Sequence, residues 1–142
     1  MVSNGTATTS AIIVSSYEYV RYGIKAFLLK VKLPAITCIN EEGSVEGAIN
    51  AYTANPPQLI FIDDTILTPE SLPEVKKLIG EAEQSIVLCL LFLNKEGGVE
   101  LVKQAGAKGY FFGTIAPEDF VTSIEELLAG RYSENGDFVW IH

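Results

Sequence analysis

Five short apolar segments alternate with stretches whose apolar residues recur at helical spacing, and this alternation is the feature that most constrains the fold. It predicts strands at residues 11–14, 35–39, 59–62, 86–91 and 109–112. The third and fourth segments lack polar alternation, which is typical of central strands in a parallel sheet that is covered on both faces. A predicted helix follows each strand.

Local signals predict where the helices begin and end. Ser15 and Glu18 form a capping-box pattern at the start of the first helix. Thr68 and the proline after it predict the N-cap and first position of the third helix. Residues 95–98, Lys-Glu-Gly-Gly, predict a flexible entry to a short fourth helix. Gly130 predicts the end of the last helix.

Strand–helix repeats of this kind predict a doubly wound α/β fold. Because parallel crossovers are right-handed, the expected arrangement is a flavodoxin-like five-stranded parallel sheet of order 2-1-3-4-5. The functional crevice of such a sheet lies at the carboxyl ends of strands 1 and 3, where the winding direction switches. That position brings Ser15, Ser16 and Asp63 together.

A length of 142 residues predicts a single domain. We expect a flexible tail at residues 1–10, the domain at 11–131, and a C-terminal tail at 132–142 with an apolar segment around Trp140. The formal net charge of −8 and the scattered Lys and Arg residues argue against binding to nucleic acid or to a membrane surface.

The two cysteines, Cys38 and Cys89, lie in apolar segments without a metal-ligand partner nearby, so we expect buried free thiols. Free thiols fit a reducing compartment, and we find neither a secretory signal nor an apolar stretch long enough to span a bilayer. The sequence therefore predicts a cytoplasmic protein. We assign no metal or acid–base role to His142, the single histidine.

Four segments carry family-like motifs in order and at fixed offsets. They are residues 15–23, which end in Arg-Tyr-Gly; 57–63, where apolar residues precede an aspartate; 105–112, with Gly-Ala-Lys-Gly-Tyr; and 116–132, the last helix. Together they resemble the receiver domains of two-component response regulators, particularly the subfamily whose longer members carry a C-terminal helix-turn-helix. No such DNA-binding segment is visible in these 142 residues.

The resemblance assigns the phosphorylation pocket position by position. The phospho-acceptor falls on Asp63, which is followed by Asp64, but the acidic pair that holds Mg²⁺ falls on Ser15 and Ser16. Two neutral hydroxyls are poor substitutes for carboxylate ligands of a hard cation, so we expect neither Mg²⁺ nor another cofactor. The remaining two pocket positions, a hydroxyl residue and a lysine in the family, fall on Leu91 and Gly113.

Asp63 therefore has two interpretations. It is either a surviving phospho-acceptor or a carboxylate that accepts backbone N–H bonds and shapes its loop, and we favour the second. Ser15 and Ser16 are interpreted first as capping residues and second as ligands of another small molecule. Tyr110 occupies the position of the family's switching aromatic, but an ordinary strand aromatic with an exposed hydroxyl is the favoured interpretation.

The favoured function is a pseudo-receiver: a non-enzymatic signalling module that acts by phosphorylation-independent protein–protein interaction. By resemblance, its partner or a second copy would bind the face formed by helix 4, strand 5 and helix 5. The candidate residues are Val99, Lys103, Tyr110 and Glu118, with Trp140 as a dimer contact or a cap over a groove. The alternatives are a divergent regulator phosphorylated at Asp63 and a ligand-binding domain using the crevice beside Ser15.

Overall fold

A computed structural model describes residues 9–141 except Leu33, Asn94, Ser133 and Asn135, and it describes Lys95 by its backbone alone. Residues 1–8 of the predicted tail and His142 lie outside the described residues. The prediction of a flexible tail is wrong for Thr9 and Ser10, because these two residues pair with β2 as the start of β1. The strands are β1 (Thr9–Val14), β2 (Ile36–Glu42), β3 (Leu59–Asp63), β4 (Ile86–Leu91), β5 (Gly109–Phe112) and β6 (Phe138–Trp140). The helices are α1 (Glu18–Leu28), α2 (Val45–Ala54), α3 (Leu72–Glu81), α4 (Lys95–Ala105) and α5 (Pro117–Leu128).

The sheet has the predicted order, with one strand added. Its six strands lie in the order β2-β1-β3-β4-β5-β6, and the first five are parallel. Every residue of β3 is buried, as its unbroken apolar sequence predicts for a central strand. Two apolar clusters form the core: α2, α3 and α4 contribute to one, and α1 and α5 contribute to the other.

Strand β6 was not predicted as part of the sheet. It pairs antiparallel with β5, and Phe138 is 1% exposed with its ring stacked on Phe111 at 4.4 Å between centroids. A Cβ atom added to Gly109 would lie 2.8 Å from the carbonyl oxygen of Val139, so glycine permits the two backbones to approach. The apolar tail segment therefore covers the edge of β5 instead of remaining in water.

Two predicted helix starts are wrong. Helix α1 has Tyr17 as its N-cap, without a side-chain cap. The Ser15 hydroxyl donates to Asp63, and its oxygen accepts the backbone N–H of Tyr17 at 3.2 Å, which lies before the first helical residue. Helix α3 begins after Ser71, and its proline at the first turn is Pro73. Thr68 instead donates its backbone N–H to the Ser71 hydroxyl at 2.9 Å, forming a turn before the helix.

Three other local predictions have separate outcomes. Residues 95–98 are not a flexible entry but the first turn of α4, because a glycine at position 98 lets the helix pack closely on β4. The prediction for Gly130 is confirmed: its φ is +82° immediately after α5. Cys38 is exposed on the edge strand β2, where burial was predicted, whereas Cys89 is buried and its burial raises the thiol pKa to about 12.

In the part of the chain that the structure describes, no helix is both long and apolar enough to cross a membrane.

Candidate functional site

The carboxyl edge of the sheet brings Ser15 and Asp63 into direct contact. Val14 pairs with Ile62 in the β1–β3 register, so the next residues leave the two strands side by side. The Ser15 hydroxyl donates a hydrogen bond of 2.6 Å to the Oδ2 atom of Asp63, and both residues are fully buried. The predicted meeting of strands 1 and 3 therefore produces a hydroxyl–carboxylate pair.

The second carboxylate oxygen of Asp63 is occupied by Thr65, a residue that the sequence analysis missed. The backbone N–H of Thr65 donates to Oδ1 at 3.1 Å, and the Thr65 hydroxyl donates to the same oxygen. This is an Asx-type turn two residues after the aspartate, and Asp-x-Thr immediately after a buried strand is the signal that could have predicted it.

Burial raises the pKa of the Asp63 carboxyl above its usual value, and the nearby charge of Asp64 adds to the effect. The hydrogen bonds from Ser15 and Thr65 act in the opposite direction, because they stabilise the ionised form. The outcome is a buried carboxylate whose neighbours are neutral hydroxyl and amide donors. Its electrostatic environment is therefore less favourable to added negative charge than a site with a fixed cation.

Ser16 is exposed and contacts Thr65 in the loop after β3. Its backbone N–H donates to the Thr65 hydroxyl at 2.9 Å, which links the loop after β1 to the loop after β3. The structure therefore gives Ser15 and Ser16 a common bonding partner, Thr65, instead of the helix-capping role that was predicted for them.

Two charged side chains border this polar cluster. Asp64 accepts a hydrogen bond of 2.6 Å from the backbone N–H of Leu93, and this bond fixes the loop after β4 to the end of β3. Arg21 donates to the carbonyl oxygen of Ser15 at 2.7 Å and lies 3.5 Å from a carboxylate oxygen of Glu41. Both contacts hold the guanidinium at the β1–α1 loop.

The Leu91 position is filled by apolar packing. Leu91 is fully buried at the end of β4, and its side chain lies under Gly98 of α4. A Cβ atom added to Gly98 would lie 2.8 Å from a methyl carbon of Leu91. The leucine and the glycine are therefore a matched pair, because the absence of a side chain on Gly98 makes room for the methyl groups of Leu91.

The Gly113 position has the same kind of arrangement. The ring of Phe92 lies over Gly113, and a Cβ atom added there would clash with its ring carbons. Phe92 is 44% exposed, so this ring is at the surface. An aromatic ring thus occupies the space next to the residue where the family resemblance places a lysine.

The structure brings some of the predicted interface residues together and separates others. Lys103, Tyr110 and Trp140 line one surface groove between α4 and β6. Glu118 lies at a different depression, beside Lys30. Tyr110 is only 7% exposed, and β6, which was not expected in the sheet, pairs along its strand, so Tyr110 contributes little of its own surface to this groove.

Val99 and Trp140 are both partly exposed at this face. Val99 is half-buried against the core, and Trp140 is half-buried with its ring 4.7 Å from that of Tyr132. Across the described residues, we find no cluster of three or more His, Cys, Asp or Glu side chains that could hold a metal ion.

Comparisons with known proteins identify homologues for most of the chain. No protein-family model matches it. The response regulator UvrY of Escherichia coli O6:H1 is 26% identical over 123 residues, which cover 86% of this chain and 55% of UvrY. The chain thus spans about half the length of the curated relatives it matches.

Solved structures share the fold over nearly the whole length. A LuxR-family two-component response regulator from Aurantimonas sp. SI85-9A1 has a TM-score of 0.74 at 21% identity, covering 92% of this chain and 91% of its own. The isolated REC domain of RcsB from Salmonella enterica serovar Typhimurium, solved with the phosphomimetic BeF3⁻, has a TM-score of 0.74 at 15% identity, with coverage of 92% and 95%. An RcsB–DNA complex has a TM-score of 0.75 at 15% identity and covers 92% of this chain and 65% of that one.

Proposed function

We propose that this chain, which is a receiver domain of the response-regulator type, signals through protein–protein contacts without being phosphorylated. The observation that carries the proposal is the state of Asp63: its two oxygens accept hydrogen bonds from Ser15 and Thr65. Phosphoryl transfer to a carboxylate depends on positioning and on neutralising charge. Neutral donors that already occupy the carboxylate provide neither.

The residues around Asp63 do not fit a Mg²⁺ ion. Magnesium requires near-octahedral oxygen ligands and prefers carboxylates, whereas the residue directly after β1 presents a hydroxyl, that of Ser15, at 2.6 Å from Asp63. Asp64 accepts the Leu93 amide, which ties its carboxylate to the opposite loop. We therefore propose that the domain works without a metal cofactor and without enzymatic activity.

The direct test is incubation with acetyl phosphate and Mg²⁺, followed by measurement of the intact mass. We expect no phosphate adduct on the wild-type protein, while a conventional receiver treated in parallel acquires one. Asp63→Asn is the matched control, since it removes the acceptor atom while keeping the side-chain size. An adduct that forms on wild type and is absent from Asp63→Asn would contradict the proposal and favour a divergent phosphorylatable regulator.

For the interaction surface, we propose the groove lined by Lys103, Tyr110 and Trp140. It presents the half-buried aromatic surface of Trp140, a residue type enriched in interfaces, beside the exposed cation of Lys103. A net charge of −8 supports a protein partner instead of direct contact with DNA. The cytoplasmic location expected from the free thiols stays a prediction.

A charge reversal tests this surface. If the partner is a second copy, Lys103→Glu should shift the sedimentation of the purified chain from dimer to monomer. Lys76→Glu, on the exposed face of α3, is the matched control and should leave the dimer intact. A wild-type chain that remains monomeric at high concentration would exclude self-association and require a different protein partner.

A further inference from the structure

A second cavity lies next to the polar cluster, on the opposite face of the sheet from α4. It is bounded by α1, by the ends of β4 and β5, and by the first turn of α5, and its volume is about 190 Å³. Leu90, Phe120 and Ile24, which are between 3% and 6% exposed, lie along its inner wall. The inner wall of the cavity is therefore part of the core, while its rim at Gly23, Phe92 and Gly113 is open to solvent.

The lining of this cavity is apolar. Valine, isoleucine, leucine and phenylalanine side chains form it together with two glycines, Gly23 and Gly113, and no charged side chain contributes among the residues that the structure describes. A cavity of about 150 Å³ with such a lining holds a molecule the size of benzene. We infer that the domain binds a small uncharged apolar molecule, of the size of a single aromatic ring, between α1 and α5.

Three observations favour a small molecule over a peptide segment at this place. The volume is below the usual range of about 300–1,000 Å³ for drug-sized ligands, so a helix or strand has no room to enter. The wall offers no row of backbone partners for an added strand, because it is made of side chains. Gly23 and Gly113 leave the opening free of side chains of their own.

The cavity is also linked to the polar cluster around Asp63. Phe92 lines it and lies over Gly113, and the next residue, Leu93, donates its backbone N–H to Asp64 at 2.6 Å. A ligand that displaces the Phe92 ring therefore acts on the loop that is bonded to the end of β3. The inference does not depend on whether Asp63 is phosphorylated.

Fluorobenzene is the probe, and backbone amide NMR spectra together with the fluorine signal are the readout. We expect saturable shifts of the Gly113, Ile115 and Leu93 amides in the wild-type domain. Fluorobenzoate, which carries the same ring with a charge, should bind at least about tenfold more weakly, because the lining has no partner for a carboxylate. Equal binding of the two probes, or no saturable shift with fluorobenzene, would overturn the inference.

A blocking variant places the probe in this cavity. Gly23 lines the opening, and a Cβ atom added to it meets nothing within 4 Å, so Gly23→Leu should fold and fill the space. Gly80→Leu is the matched control, since Gly80 is also an exposed helical glycine with nothing within 4 Å, on the remote helix α3. We expect Gly23→Leu to weaken fluorobenzene binding by at least about tenfold and Gly80→Leu to leave it unchanged. Equal affinity for both variants would place the probe elsewhere and overturn the assignment.

Discussion

The two halves of the carboxyl edge have adapted in different ways. In the polar half, Ser15 and Thr65 surround Asp63 with neutral hydrogen-bond donors. In the apolar half, Leu91 and Phe92 fill space against Gly98 and Gly113. Compared with the receiver pattern, the polar half has an aspartate at the phospho-acceptor position and serines in place of the acidic pair. The apolar half has Leu91 and Gly113 where that pattern has a hydroxyl residue and a lysine.

This difference teaches that the residues at this edge fit one another: Ser15 and Thr65 bond Asp63, and Leu91 and Phe92 pack against glycines. Each position that differs from the receiver pattern has a neighbour that fits the residue present. Restoring the receiver residue at one position would therefore leave a neighbour that does not fit it. The apolar half should be the more costly to disturb, because its Leu91 side chain is fully buried, and the polar half should respond to pH. The following experiments test these expectations from the largest expected effect to the smallest.

Truncating the buried Leu91 side chain of the apolar half should cause the largest loss of stability. Leu91→Ala removes a fully buried side chain, and we expect a loss of about 2–5 kcal/mol in the free energy of unfolding. Ser15→Ala, in the polar half, removes one hydrogen bond to Asp63 and should cost about 1–3 kcal/mol. Urea denaturation measures both, and a larger loss for Ser15→Ala would reverse the comparison.

Restoring a carboxylate to the polar half should destabilise it. Ser15→Asp places a second negative charge beside buried Asp63, and we expect a loss of about 3 kcal/mol at neutral pH. Millimolar Mg²⁺ should recover part of this stability in the variant, since the new carboxylate supplies an oxygen ligand, and should leave the wild type unchanged. Thermal unfolding with and without Mg²⁺ is the measurement. An equal response of both proteins would mean that the wild-type cluster already binds the ion.

The fit between Leu91 and Gly98 should be visible as coupling. Gly98→Ala forces a methyl group into contact with Leu91, so it should be less stabilising, by about 1–3 kcal/mol, in the wild type than in the Leu91→Ala background. Gly80→Ala is the control, because its added methyl group meets nothing and should stabilise α3 by up to about 1 kcal/mol. A double-mutant cycle with no coupling would show that the pair is not matched.

The smallest effect is the pH dependence of Asp63. Its pKa is higher in the folded chain than in the unfolded chain, so folding takes up protons between these two pKa values and stability falls as the pH rises through them. Asp63→Asn should therefore raise the free energy of unfolding by about 1 kcal/mol at pH 7.5 and give no such gain near pH 4. Asp119→Asn, an exposed aspartate of α5, should change little. An unaltered pH profile for Asp63→Asn would contradict the assignment.

The order of the sheet could be predicted from sequence because it depends on long apolar segments and on the crossover rule. The site could be predicted in part: the meeting of Ser15 with Asp63 follows from topology, but the role of Thr65 depends on a local turn. The contacts of Leu91 with Gly98 and of Phe92 with Gly113 depend on side-chain packing between elements, which spacing alone does not define. Strand β6 was missed because three residues carry too little periodic signal.

The antiparallel course of β6 has a consequence for where a tether or a fused domain can be attached. Trp140 pairs with Gly109 at the start of β5, and Thr9 is at the start of β1, so residues 9 and 141 leave from the same edge of the sheet. Asp63 and the cavity lie at the other edge. A tether or fusion attached at either point therefore presents the site outward, and two such attachments on one domain would share this edge, four strands apart.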